Sequence, residues 1–214
     1  MKFIQAHPSN FASPRGHAID RIVVHYTGNN GDTAEANAHY FQNPLKKPAS
    51  AHYFVDTREV VQSVKEGDRA FHAEDRTMND RSIGVEMCSM KDAAGAFYIP
   101  CATITRTVAL VKELMAKYGI SVAGVLRHYD VSGKRCPEPF VRQPQQWEDF
   151  KAALTKEDAK MDEKNAPSAW AKEACQWAVA RGLFVGDGKG NYHWQDAITR
   201  EQMAAVLFRL HGKE

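Results

Sequence analysis

Ile22-Val23-Val24-His25-Tyr26-Thr27-Gly28 sets a histidine at the end of an unbroken apolar run. An apolar, largely β-branched run without polar alternation predicts a short strand, Arg21 to Tyr26, covered on both faces as strands of α/β sheets are. Its histidine falls at the strand end, beside a Thr27-Gly28-Asn29-Asn30-Gly31 loop that leaves room for a ligand. Outward from it, Ser82 to Met87 and Val122 to His128 are two further strands, the second also ending in a histidine. Ser50 to Val55 and Val60 to Val64 read as a hairpin around Asp56-Thr57-Arg58-Glu59. Ala34 to Gln42 is a helix capped by Asp32 or Thr33 and stopped at Asn43-Pro44. About Ile104 to Tyr118 is a longer helix, with Val108, Leu110, Val111, Leu114 and Met115 as its apolar stripe and Gly119 as its end. Trp147 to Leu154 makes a short helix that packs back. Residues 1–20 read as an irregular lead-in, and 65–80 as a long polar loop of the kind that often carries function. Strands alternating with helices predict an α/β fold, a central mixed β-sheet flanked by helices. Sites in such folds gather beyond strand ends, where both histidines lie.

A chain of 214 residues can hold one medium domain and a small module. The text changes at Thr155 to Pro167, which is charged and almost free of large apolar residues. The expected organisation is therefore a domain at 1–154, a charged linker at 155–167 and a small helical module at 168–214. In the module, Trp170, Ala174, Trp177, Ala178 and Leu183 recur at helical spacing, and Thr199 with Gln202 forms a capping box for a helix through Leu210. Asp187-Gly188-Lys189-Gly190-Asn191 has too few carboxylates for calcium and reads as a turn. The net charge of +2 gives no reason to propose a nucleic-acid partner. Four scattered cysteines without a CxxC pair fit a reduced, cytosolic origin better than a disulfide framework. With no apolar signal core at the N-terminus and no stretch fit to span a bilayer, the expectation is cytoplasmic synthesis without a signal peptide or membrane insertion.

Arg127-His128-Tyr129-Asp130-Val131-Ser132-Gly133-Lys134-Arg135-Cys136-Pro137 carries the chemistry. His25, His128 and Cys136 form a three-ligand set for zinc (Zn2+), which leaves the fourth tetrahedral position to water, whereas a structural site closes with four protein ligands. Glu86 interrupts an apolar strand, where a carboxylate is costly without a partner, and is the candidate general base. On the solvent face of its strand it would instead be inert. Lys134, two residues before Cys136, could donate to a developing oxyanion or be an ordinary surface lysine. Cys136 and His128 could also form a thiol-peptidase pair, and a lone strand-end histidine is often only a packed residue. The residue types alone leave these readings open.

Taken together, four motifs in order resemble the zinc-dependent N-acetylmuramoyl-L-alanine amidases, the family of phage lysozyme-type amidases and peptidoglycan recognition proteins. They are Ile22 through Thr27, Ser50-Ala51-His52-Tyr53-Phe54-Val55, Asn79 with Ser82 through Glu86, and Arg127-His128-Tyr129-Asp130 through Lys134-Arg135-Cys136-Pro137. The resemblance covers about residues 18–150. It implies that His25, His128 and Cys136 bind zinc, that Glu86 and Lys134 are catalytic, and that His72 lies on the substrate groove. Some members carry a catalytic tyrosine before the histidine matching His52; Ala51 stands there, so more weight falls on Glu86. The implied reaction cleaves the amide between N-acetylmuramic acid and L-alanine in bacterial peptidoglycan. Trp170 to Ala174, Gly182 to Gly186 and Ile198 to Gln202 resemble one S-layer homology repeat, with Thr-Arg-Glu-Gln where the repeat's motif is Thr-Arg-Ala-Glu. That implies a secondary cell-wall polymer as a partner, with self-association to supply the missing repeats. An endolysin, made in the cytoplasm and acting on the wall after release, is the expected type. A non-catalytic wall-binding module and a cysteine peptidase using Cys136 and His128 are the competing readings.

Overall fold

In the computed structural model, residues 1–156, 166–184, 186 and 191–211 are described. The chain divides into two units, Met1–Thr155 and Lys156–Glu214. In chain order the first unit comprises β1 (Lys2–Phe3), β2 (Phe11–Ala12), β3 (Arg21–Tyr26), α1 (Ala34–Phe41), β4 (Tyr53–Val55), β5 (Val60–Gln62), β6 (Arg69–Ala70), α2 (Arg76–Arg81) and β7 (Ser82–Met87). There follow β8 (Met90–Lys91), β9 (Phe97–Tyr98), α3 (Cys101–Tyr118), β10 (Val125–Arg127), α4 (His128–Ser132), α5 (Glu138–Arg142) and α6 (Pro144–Thr155).

Six strands form the central sheet in the order β1-β5-β4-β7-β3-β10. It is mixed: β4 and β5 are antiparallel, and every other neighbouring pair is parallel. β3, whose Ile22, Val23 and Val24 are fully buried, lies between β7 and β10, which explains its unbroken apolar text.

Alternation of side chains sorts the strands into two faces. Ile22, Val24, Ile83, Val85, Met87, Tyr53 and Val55 pack with Leu110, Val111 and Leu114 of α3 and with Trp147, Phe150 and Leu154 of α6. Phe54 and Val61 pack on the other side with Ala34 and Ala38 of α1. His25, Gly84 and Glu86 occupy the alternate positions of β3 and β7, so the side away from α3 carries the chemistry. Small alanines of α1 let that helix lie close there.

The helices have legible ends. The Thr33 hydroxyl accepts from Ala36 N at 3.1 Å at the start of α1, and Gly119 ends α3 at φ +64°. Three expectations are corrected. The lead-in supplies β1, which extends the sheet by pairing with β5, and β2, which pairs with β6. The loop over 65–80 contains β6 and α2, the latter capped by Asp75, whose carboxylate accepts from Met78 N. α2 has no apolar stripe because Asn79 and Asp80 are its buried residues, held by hydrogen bonds. The strand expected over Val122 to His128 begins as a 3-10 turn at Val122–Gly124, pairs only over β10, and gives way at His128 to α4.

Among the described residues of the second unit, α7 (Lys172–Ala180) and α8 (Arg200–His211) are the α-helices. The capping box forms reciprocally: Thr199 N donates to Gln202 Oε1 at 2.9 Å, and Gln202 N to Thr199 Oγ1 at 3.2 Å. Ala178 and Leu183 are buried, and Arg209 Nη1 donates to the Leu183 carbonyl at 2.8 Å. Most of the expected linker, 157–165, and 187–190 of the expected turn lie outside the described residues.

Candidate metal centre

β3 and β7 run side by side with His25 opposite Glu86 and Val23 opposite Gly84. His128 arrives from β10, the other neighbour of β3, as the first residue of α4. The segment after α4 folds back so that Tyr129 N donates to the Cys136 carbonyl at 2.9 Å, which carries Cys136 to the same place. His25, His128 and Cys136 are all buried, and one donor atom from each lies within 4.8 Å of the others. His25 Nδ1 is 3.1 Å from His128 Nδ1 and 3.8 Å from Cys136 Sγ. Tetrahedral zinc, with bonds of about 2.0–2.1 Å to nitrogen and 2.3 Å to sulfur, sets its ligands about 3.3–3.6 Å apart. The donor set and its spacing fit that ion.

The electrostatics agree with the geometry. Burial first, then the closeness of His128 and of the Lys134 charge, hold His25 well below the usual histidine range. Burial, then Lys134, also lowers His128, so both imidazoles are neutral as metal binding requires. Burial, reinforced by the Glu86 charge, raises the Cys136 thiol. A thiol held protonated is a poor nucleophile, and it would release its proton to solvent on ligating a cation.

Glu86 faces the same side as His25. Its Oε2 is shut off from solvent and has no hydrogen-bond partner among the described residues. Burial pushes its pKa up to about 8, against a lowering by Lys134 and with a further raising by Asp32. Lys134 Nζ donates to Glu74 Oε1 at 2.8 Å, and both side chains are half exposed. Burial lowers the Lys134 pKa, but Glu74, Cys136 and Glu86 outweigh it, so the amine stays charged. Glu74 sits at φ +56°, a region that costs energy for a residue with a Cβ.

His72, expected on the substrate groove, is buried. It lies behind His25, its Nδ1 3.0 Å from His25 Nε2, with its own Nε2 3.2 Å from Ser82 Oγ. Burial drives it well below the usual histidine range, and the neighbouring His25 and His52 lower it further. The reason for its position is Asn79, whose Oδ1 accepts from His72 N and Ala73 N at 2.9 and 2.8 Å and pulls that segment inward.

Two supporting residues had little signal in the sequence. Arg15, in the lead-in, donates to the carbonyls of Glu66, Asp68, Asp80 and Ser82 at 2.7–3.2 Å and so ties the lead-in to two distant stretches of chain, 66–68 and 80–82. Only an arginine among prolines and serines marked it. Ser82 opened an expected strand and carried no sign of contact with His72.

Comparison with known sequences completes the picture. The pattern of the N-acetylmuramoyl-L-alanine amidase family matches residues 15–139, more than half of the chain. The chain belongs to this amidase family. The pattern of the S-layer homology domain matches residues 162–204. A probable N-acetylmuramoyl-L-alanine amidase of Bacillus licheniformis is 32% identical over 210 residues, 92% of this chain and 57% of that protein. N-acetylmuramoyl-L-alanine amidase BlyA of Bacillus subtilis (strain 168) is 35% identical over 170 residues, 71% of this chain and 44% of that protein. The chain thus spans about half the length of the curated relatives it matches. Among solved structures, a mutant endolysin from Bacillus subtilis superposes with a TM-score of 0.61 at 32% identity, over 72% of this chain and 97% of that one. The catalytic domain of XlyA gives 0.60 at 32% identity, over 72% and 99%. The amidase match ends within α5, after Cys136, so His25, Glu86, His128, Lys134 and Cys136 all lie inside it.

Proposed function

We propose that this chain is a zinc-dependent N-acetylmuramoyl-L-alanine amidase that cleaves the bond between N-acetylmuramic acid and L-alanine in peptidoglycan. The observation that carries the reading is the convergence, in a member of the amidase family, of His25 Nδ1, His128 Nδ1 and Cys136 Sγ beside Glu86, whose Oε2 has no partner among the described residues. His25, His128 and Cys136 would hold the ion. When bound, zinc supplies Lewis acidity, polarising a carbonyl and lowering the pKa of a water to about 7.

The rest of the chemistry belongs to the chain. Glu86 takes the proton from the attacking water as its oxygen bonds to the lactyl carbonyl carbon. It then passes that proton to the alanine nitrogen as the carbon–nitrogen bond breaks. Its Oε2, shut off from solvent and without a partner among the described residues, has no donor to displace before it accepts. Lys134 Nζ donates to the oxyanion that develops on the carbonyl oxygen, which requires it to leave Glu74. His72, lying behind His25, takes a supporting place and not a groove contact.

Residues 1–154 are assigned the catalysis, with 155–167 as linker. Residues 168–214 are assigned attachment to a secondary wall polymer, in keeping with the S-layer homology match. Exposed Trp170 and Phe208 support self-association through this module. The endolysin relatives support action on the wall after release from the cytoplasm. Product analysis of digested peptidoglycan tests the activity. New N-terminal alanine without new reducing sugar is expected; reducing ends alone would identify a glycosidase, and no product from intact or soluble substrate would leave a binding protein.

A further inference from the structure

Behind the proposed ligands runs a chain of hydrogen bonds whose direction can be read from one end. Ser82 Oγ lies 2.5 Å from the Met78 carbonyl, which can only accept, so the hydroxyl's single proton points there. The same oxygen is 3.2 Å from His72 Nε2, and with its proton committed it can only accept from that ring. His72 therefore carries its proton on Nε2 and presents a bare Nδ1. That Nδ1 is 3.0 Å from His25 Nε2, which must in turn be the donor. The proton of His25 is thereby fixed on Nε2, and its Nδ1 lone pair faces His128 and Cys136. We propose that the Met78 carbonyl, Ser82 and His72 form a relay that locks His25 in the one tautomer able to bind zinc through Nδ1.

The surroundings are built for this relay. The ring of His72 lies against Gly84 so closely that a Cβ there would come within 2.6 Å of it. Glycine within the apolar β7 thus provides the space in which His72 reaches His25. Asn79 fixes the His72 backbone from the other side. Ser82 and His25 are essentially inaccessible to solvent, and His72 is buried, so bulk water does not compete for these bonds. Outer partners that orient a metal-binding histidine typically govern about 10- to 100-fold in metal affinity. Here the partner is a second imidazole, which accepts only while its other nitrogen keeps a proton acceptor. Removing the Ser82 hydroxyl releases that condition. His72 can then turn its proton towards His25, push the His25 proton onto Nδ1 and occupy the position zinc needs.

This inference rests on the zinc reading, and the test separates the two. The full chain is stripped of metal, and long-range proton–nitrogen NMR of its histidines is recorded. Zinc affinity is then measured by chelator competition for wild type, Ser82→Ala and His72→Ala. The relay predicts a His25 protonated on Nε2 and a His72 protonated on Nε2 in the zinc-free wild type. It predicts loss of that single pattern in Ser82→Ala, and zinc affinity about tenfold weaker in Ser82→Ala and up to about 100-fold weaker in His72→Ala. Ser82→Ala removes one buried hydroxyl, so the relay remains testable if His72→Ala does not fold. A His25 protonated on Nδ1 in wild type, or Ser82→Ala binding zinc within twofold of wild type, overturns the relay. A wild-type chain that binds no zinc overturns the reading beneath it, whichever tautomer the spectra show.

Discussion

At the scale of single residues, Glu86 shows function and stability pulling apart. Its Oε2 is shut off from solvent with no hydrogen-bond partner among the described residues, an arrangement that costs stability. Glu86→Gln should keep the fold and zinc yet lower kcat by about 10² to 10⁴, with KM little changed; turnover near wild type would return the carboxylate to an idle role. A pH dependence follows from the same burial. Because the folded pKa of about 8 lies above the carboxyl's ordinary 4.5, protonation favours the folded state. The zinc-free wild type therefore has this stability in full below about pH 4.5 and loses it as pH rises through about 8. Against it, zinc-free Glu86→Gln should gain at pH 8.5 on the order of 5 °C in Tm, and nothing comparable at pH 4.5. Thermal melts of both proteins at the two pH values check this, and an equal difference at both would contradict it. The place of Glu86 within β7 was legible because it interrupts an apolar strand. The contact of His72 with His25 was not legible, since a histidine in a polar stretch gives no sign of its distant partners.

At the scale of elements, what could be read was what apolar periodicity carries. β3, β7, α1, α3 and α6 bury apolar faces, and the sequence predicts all five. α2 and α4 could not be seen that way. α2 buries Asn79 and Asp80, held by hydrogen bonds to distant segments, and α4 is a short turn bracketed by Arg127–Asp130 pairing and Gly133. β1 is two exposed residues whose place depends on pairing with β5. Two glycines separate element stability from site assembly. Gly119 adopts φ +64° with open space around it, so Gly119→Ala should cost about 1 kcal/mol through backbone strain alone and leave zinc affinity unchanged. Gly84→Ala drives a Cβ into the His72 ring and should weaken zinc binding by about tenfold or more as well as lower Tm. Zinc titration beside thermal melts decides between them, and equal zinc affinity in both variants would contradict the role given to Gly84.

For the whole molecule, the change of text near Thr155 coincides with a division into two units, and every residue proposed to act in catalysis precedes it. Deleting residues 165–214 should therefore weaken adsorption to cell walls while cleavage of soluble muropeptides stays within about twofold of the full chain. A truncated chain that folds and holds zinc but fails on the soluble substrate would mean the module takes part in the chemistry. The sheet and the proposed ligand set were readable because strand-end histidines and a loop cysteine are local signals. What joins them behind the site, from Arg15 to Ser82, is set by contacts between segments far apart in sequence, which no local pattern encodes. In the function proposed, His25, His128 and Cys136 hold a zinc on which amide cleavage depends. Metal analysis of the purified chain, joined to a chelation and zinc-restoration cycle on peptidoglycan cleavage, tests it most directly. About one zinc per chain, activity lost with the metal and regained with it, and no zinc in Cys136→Ala are the results predicted. Undiminished cleavage by the metal-free chain, or full zinc content in Cys136→Ala, would contradict the account.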